Sequence, residues 1–273
     1  MAAGFVIPIL LISYLAFAAA SQDLRLIGYA GNAMLLLVGW HYAKQGFGML
    51  IVDSVYQERF FDADEKRLLL ANAHSCWFSF WILANEYLSE RILWGVSYFS
   101  IDFPTPVTLT SIAISMLTTT LTLRMLWLRH RSGSKPLPLA GTAAYLISVY
   151  VWLLGRLDPA LLLLIPMFHS LQYLVIVARL ERNRLGSGRA VYKKLTLFYM
   201  VCAGLGVFAF WNLPELLSTL PLFSSEAFGT ALVATFSVWV FINIHHYFLD
   251  NVIWKKDNPE TAKYLFMLPK RSG

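Results

Sequence analysis

Two cysteines in 273 residues, Cys76 and Cys202, lie in different apolar runs. That scarcity excludes a disulfide framework and a paired-cysteine metal motif, and with them an iron–sulfur cluster or a structural zinc. Both read as small packing residues. Charge is scarce too: Asp, Glu, Lys and Arg make up 14% of the chain, whereas a soluble domain carries about 25% to cover its surface. No nucleophile elbow, phosphate-binding loop or dinucleotide fingerprint is present. Nor is there a repeat, a low-complexity tract or a separate soluble module. The net charge of +6 therefore has no basic, aromatic face with which to grip nucleic acid. Met1 leads straight into an apolar run with no basic segment before it, which favours a retained helix over a cleaved signal peptide.

What the chain has instead is apolar length. It is 58% hydrophobic, with mean hydropathy +0.58. Eight runs, at 5–20, 28–50, 68–85, 107–127, 137–155, 160–178, 195–212 and 228–250, approach the roughly 20 residues that cross a bilayer as helix. Pro104, Pro106, Pro136, Pro138 and Pro159 punctuate the run starts, and Trp94, Tyr98, Trp211 and Trp254 fall near the expected interfaces.

The basic residues divide unevenly between the two sides. Arg59, Lys66 and Arg67 follow the second run. Arg124, Arg129, Arg131 and Lys135 follow the fourth. Arg179, Arg182, Arg184, Arg189, Lys193 and Lys194 follow the sixth, and Lys255, Lys256, Lys263, Lys270 and Arg271 form the tail. Eighteen of the 22 Lys and Arg thus share one side, against Arg25, Arg91 and Arg156 on the other. The positive-inside rule makes that side, and both termini, cytoplasmic. The expectation is an all-α polytopic protein of about eight transmembrane helices, a single transmembrane domain over 1–273, in a bacterial cytoplasmic membrane.

Five of the six histidines fall inside these runs. At 1.5 Å per residue, His41, His74, His169, His245 and His246 share a slab one to two helical turns thick in the cytoplasmic half. An ionisable group in a bilayer is costly and marks a partner, a cavity or a metal. Polar neighbours recur at helical spacing: Gln45 is four residues after His41, Gln172 three after His169, and Asp250 four after His246. Asp250 could accept a ring N–H and fix the tautomer of a metal-bound imidazole. His130 belongs to a basic loop and reads as a surface residue.

Imidazoles with oxygen-bearing neighbours and no thiolate set suit iron, with zinc or copper as alternatives. The expectation is an enzyme in which non-haem iron, mono- or dinuclear, directs O₂ against a lipid-soluble substrate drawn from the surrounding lipids. His41, His74, His169, His245 and His246 would be ligands or near-ligands, and Gln45, Gln172 and Asp250 would orient them. Whether an electron donor takes part stays open. Two other readings remain: a haem b held between histidines as an electron-transfer protein, and a His/Asp proton-coupled transporter. The latter lacks the internal repeat and interrupted helices expected of a transporter.

Three stretches also carry a family likeness. Phe168-His169-Ser170, His245 with Asp250 five residues on, and His41-Tyr42 resemble motifs of the retinal-forming, carotene-cleaving membrane dioxygenases of bacteria and archaea. The resemblance implies a polytopic helical fold, histidine-held iron and a carotenoid or other lipid substrate. It selects His245 on the last helix, whereas the polar stripe Asn243-His246-Asp250 selects His246. The first run holds no histidine to match that family's early motif, and Ile244 stands where the family has proline before its late histidine.

Overall fold

A computed structural model describes the chain except residues 1, 90, 94, 134–135, 159–160, 163, 187, 221–230, 255–257 and 266–273. Trp94, Lys135, Pro159, Lys255, Lys256, Lys270, Arg271 and the first residues of the runs beginning at 160 and 228 lie outside the described residues. Every expected run is helical where it is described, apart from Leu137 and Pro138, which lie just before the helix that begins at Leu139. The helices are α1 (Ile7–Ser21), α2 (Leu24–Tyr56), α3 (Ala63–Tyr87), α4 (Thr105–Ser132), α5 (Leu139–Tyr150), α6 (Leu154–Leu157), α7 (Leu164–Leu185), α8 (Arg189–Val207), α9 (Leu213–Ser218), α10 (Ala231–Ile253) and α11 (Pro259–Leu265). One short hairpin was not expected: β1 (Ile92–Leu93) pairs antiparallel with β2 (Val96–Ser97). It turns on Gly95 at φ 77°, a backbone region that glycine enters without a Cβ penalty.

Among the described residues, five helical stretches are long and apolar enough to cross a membrane: Ala2–Ser21, Thr105–Ser132, Leu139–Leu157, Ala190–Ser218 and Leu232–Ile253. They point to a membrane protein. α2, α3 and α7 are as long but more polar. Asn32, Lys44, Gln45 and Asp53 dilute α2, and Asn72, Asn85 and Glu86 dilute α3. The outward face of the apolar stretches is bare: Ile9, Met116, Leu117, Leu197, Met200 and Leu205 are all exposed, as lipid-facing side chains would be.

The chain forms two compact units. One is built from Met1–Met34, Glu90–Phe99 and Leu174–Gly273, the other from Leu35–Ser89 and Ser100–Tyr173. In the first, α10 packs on α1 and α9, and Asn32 Nδ2 donates 2.7 Å to the Phe99 carbonyl. α1 stops where Gln22 adopts a left-handed conformation, its N–H returning to the carbonyls of Ala18 and Ala19.

The second unit centres on α3 against α4, with α5 closing over α2. α5 approaches so closely that a Cβ on Gly141 would lie 2.9 Å from the Leu50 Cα. Asp53 Oδ2 then accepts the Gly141 N–H at 2.7 Å, which satisfies an orphan donor in the first turn of α5. Its apolar core includes Leu50, Leu69, Ala73, Cys76, Tyr145 and Val149. A polar knot crosses that core. Asn72, fully buried, donates 2.9 Å to the hydroxyls of Tyr145 and Tyr150 and accepts from Thr118 and Thr119 at 3.2 and 3.0 Å. In a bilayer each of those groups has no water to turn to, so satisfying them together ties α3, α4 and α5 in one register.

The segment 58–67 reads from sequence as a solvated connection, and here the structure differs. α3 begins at Ala63 inside it, because Asp62 and Glu65 form a capping box: the Asp62 side chain accepts from the N–H groups of Asp64 and Glu65, and Glu65 Oε2 accepts from the Asp62 N–H at 2.9 Å. Arg129, at the end of α4, reads from sequence as a topology signal but is 4% exposed. It pairs with Glu65 at 2.5 Å, donates to the Phe60 carbonyl and lies 4.3 Å over the Phe61 ring. Arg59 in turn donates 2.6 Å to the Leu137 carbonyl. Together these contacts clasp the ends of α2, α3, α4 and α5.

Candidate metal centre

α2 carries Trp40-His41-Tyr42 and, one turn later, Gln45; α7 carries His169 and Gln172. In the second unit these two helices bring the imidazoles together. His41 and His169 are both buried, with ring centroids 4.9 Å apart and planes inclined at 66°. Tyr42 stacks on His169 at 4.0 Å and 16°, which fixes that imidazole plane from one side. Tyr42 in turn lies 6.1 Å from Trp152.

The glutamines do not grip the rings. Gln45 Nε2 donates to the His169 carbonyl at 3.2 Å and to Gln172 Oε1 at 3.4 Å. Gln172 exchanges hydrogen bonds with the Ser148 hydroxyl at 3.1–3.2 Å and donates to the Ala144 carbonyl at 3.3 Å. This amide–hydroxyl chain joins α2, α5 and α7 one turn from the histidine pair. It sets the height and rotation of α7, and so the place of His169. Spacing alone identified both glutamines; their partners were not readable from it. Ser148 and Tyr42 were missed. Only Tyr42 left a signal, as the residue beside His41.

In the first unit, His246 and Asp250 meet on α10 as their i, i+4 spacing requires, with Nε2 3.4 Å from Oδ2. Asp250 is 5% exposed, so its carboxylate is held against the ring and not in water. An imidazole committed through Nε2 has Nδ1 left as its ligand atom.

Of the five histidines singled out by sequence, the second unit therefore brings His41 and His169 together as a buried pair that could offer two imidazole nitrogens to a metal ion, and His246 stands with Asp250 in the first unit. His74 and His245 make other contacts. His74 stacks on Trp40 at 4.1 Å and 23°. His245 Nε2 lies 3.2 Å from the Ala3 carbonyl, with Phe241 beside the ring. His130 is exposed, as expected, but it lies in the last turn of α4 and not in a loop.

The chain matches no family model, no curated protein and no solved structure. The likeness to carotene-cleaving dioxygenases rests on its three short motifs.

Proposed function

We propose that this protein is a membrane-embedded metal enzyme, with the His41–His169 pair as ligands of a non-haem ion, iron in first place, and His74, His245 and His246 as the further candidate ligands the sequence offers, for O₂-dependent oxidation of a lipid-soluble substrate. The observation that carries the reading is the geometry of the His41–His169 pair. With a metal–nitrogen bond of about 2.0–2.1 Å, each ring centre stands about 3.2 Å from the ion. Two such rings are then about 4.5 Å apart at a right angle and about 5.2 Å apart at the tetrahedral angle. The observed 4.9 Å falls between them. A haem would need these rings on opposite faces of its iron, about 6.4 Å apart by the same bond length. The pair therefore fits one non-haem ion better than a porphyrin.

The chain's own residues divide the remaining tasks. The stacked Tyr42 and the Gln45–Gln172–Ser148 chain keep the α7 imidazole in place, and within the first unit Asp250 holds one nitrogen of His246 so that its other nitrogen stays available as a ligand atom. The ion, when bound, would supply O₂ activation. The substrate class, a carotenoid or other lipid, follows the family resemblance and the membrane setting. An electron donor would be needed where the reaction consumes reducing equivalents.

The same reading takes all eight apolar runs as spans of one transmembrane domain, 1–273, with both termini cytoplasmic in a bacterial cytoplasmic membrane. α2, α3 and α7 are included despite their polarity because several of their polar residues face protein: Asn72, His41 and His169 are all buried. Purified protein in lipid nanodiscs is expected to take up O₂ when offered an apolar polyene, and a strong chelator should abolish that uptake. Uptake unchanged by chelation would refute metal-dependent oxidation.

A further inference from the structure

The clasp at the shared end of α3 and α4 borders a cavity of about 460 Å³ that the proposed chemistry does not use. We infer that it is a binding site for the headgroup of an anionic phospholipid. Its lining is graded along α4. Leu121 and Leu128 supply an apolar wall, and Arg124, Arg129 and Ser132 supply polar groups toward the helix end. The long Arg124 stem lets its guanidinium reach toward the interface while its carbons stay against apolar surface.

Two features point to an anion. Arg129 is almost wholly buried, and its Nε–H lacks a hydrogen-bond partner although its terminal nitrogens are engaged by Glu65 and by the Phe60 and Arg59 carbonyls. That Nε–H has almost no accessible surface, so Arg129 gives the cavity wall its charge and leaves contact with the anion to Arg124. Arg124 is exposed, and no ion pair to it is found among the described residues. Glu65 is the acidic group facing the cavity. Its charge is already committed to Arg129, and it also accepts from the Asp62 N–H. The cavity's surplus is therefore one cation.

The apolar wall decides the source of the phosphate. A free phosphate would leave Leu121 and Leu128 uncovered, whereas a lipid places an acyl chain along them with its phosphate at Arg124. The site lies at helix ends, Glu65 in the first turn of α3 and Ser132 closing α4, where a headgroup sits in a spanning protein.

The test is a thermal-unfolding titration of the full-length protein in neutral detergent. Phosphatidylglycerol, phosphatidylcholine and inorganic phosphate are the three probes. Phosphatidylglycerol should bind more tightly than phosphatidylcholine, and Arg124→Gln should reduce that preference about fivefold, the loss of one interfacial cation. Arg67→Gln, at the same end of α3 but outside the cavity lining, should leave the preference intact. Arg129 is kept in all variants because it also holds the clasp. Equal binding of the two lipids, a preference that survives Arg124→Gln, or inorganic phosphate matching phosphatidylglycerol would each overturn the assignment.

Discussion

His169→Ala protein is expected to insert into the membrane at wild-type level and to lose more than about 100-fold in metal affinity. That bound follows from ligand chemistry: removing a partner that merely orients a ligand costs about 10–100-fold, and here the bond to the metal goes as well. His41→Ala should behave alike, since the two rings stand in the same buried pair. Asp250→Asn should fall in the intermediate range of about 10–100-fold, because the amide keeps the position beside His246 but loses the charge. His130→Ala, exposed in the α4 end, should match wild type. If these imidazoles only packed, each loss would amount to an interhelical hydrogen bond of about 0.6 kcal/mol. Metal titration of the purified variants separates the cases, and wild-type metal affinity in both His41→Ala and His169→Ala would return the pair to ordinary packing.

Arg129→Ala should destabilise the protein by about 3–5 kcal/mol, the cost of breaking a buried ion pair from one side. Its partner Glu65 is only 15% exposed in its side chain and would keep an uncompensated charge, while the Phe60 carbonyl would lose its donor. Pairing the change with Glu65→Gln should recover part of the loss. Arg67→Ala gives the contrast: its bridge to Asp64 is exposed at 80% and 90%, so its removal should cost no more than about 1 kcal/mol. Thermal unfolding in detergent reads all three. An Arg129→Ala protein as stable as Arg67→Ala would show that the clasp bears no load.

How far the chain could be read in advance differs between its levels. The apolar runs located the helices because a span must satisfy its own backbone groups, and the run at 107–127 became α4 at 105–132 with Pro104 and Pro106 at its start. The histidines' common depth, with their polar neighbours at helical spacing, singled out the residues of the candidate centre. Rotation was not legible, since spacing places residues on a face without saying which helix that face meets. Gln45 therefore found the His169 carbonyl in place of a ring nitrogen, and His74 found Trp40. Arg129 was misread for a related reason. A lone arginine at a helix end looks like a topology signal until Glu65, 64 residues earlier in the chain, is folded against it.

The most direct test of the central claim is metal quantification on wild-type protein purified in mild detergent, read beside its visible absorption spectrum. About one equivalent of transition metal is expected, iron first, tightly held and without a haem Soret band, and it should be lost when His41 and His169 are replaced together. Metal-free protein that cannot be reconstituted, or stoichiometric haem, would contradict that claim.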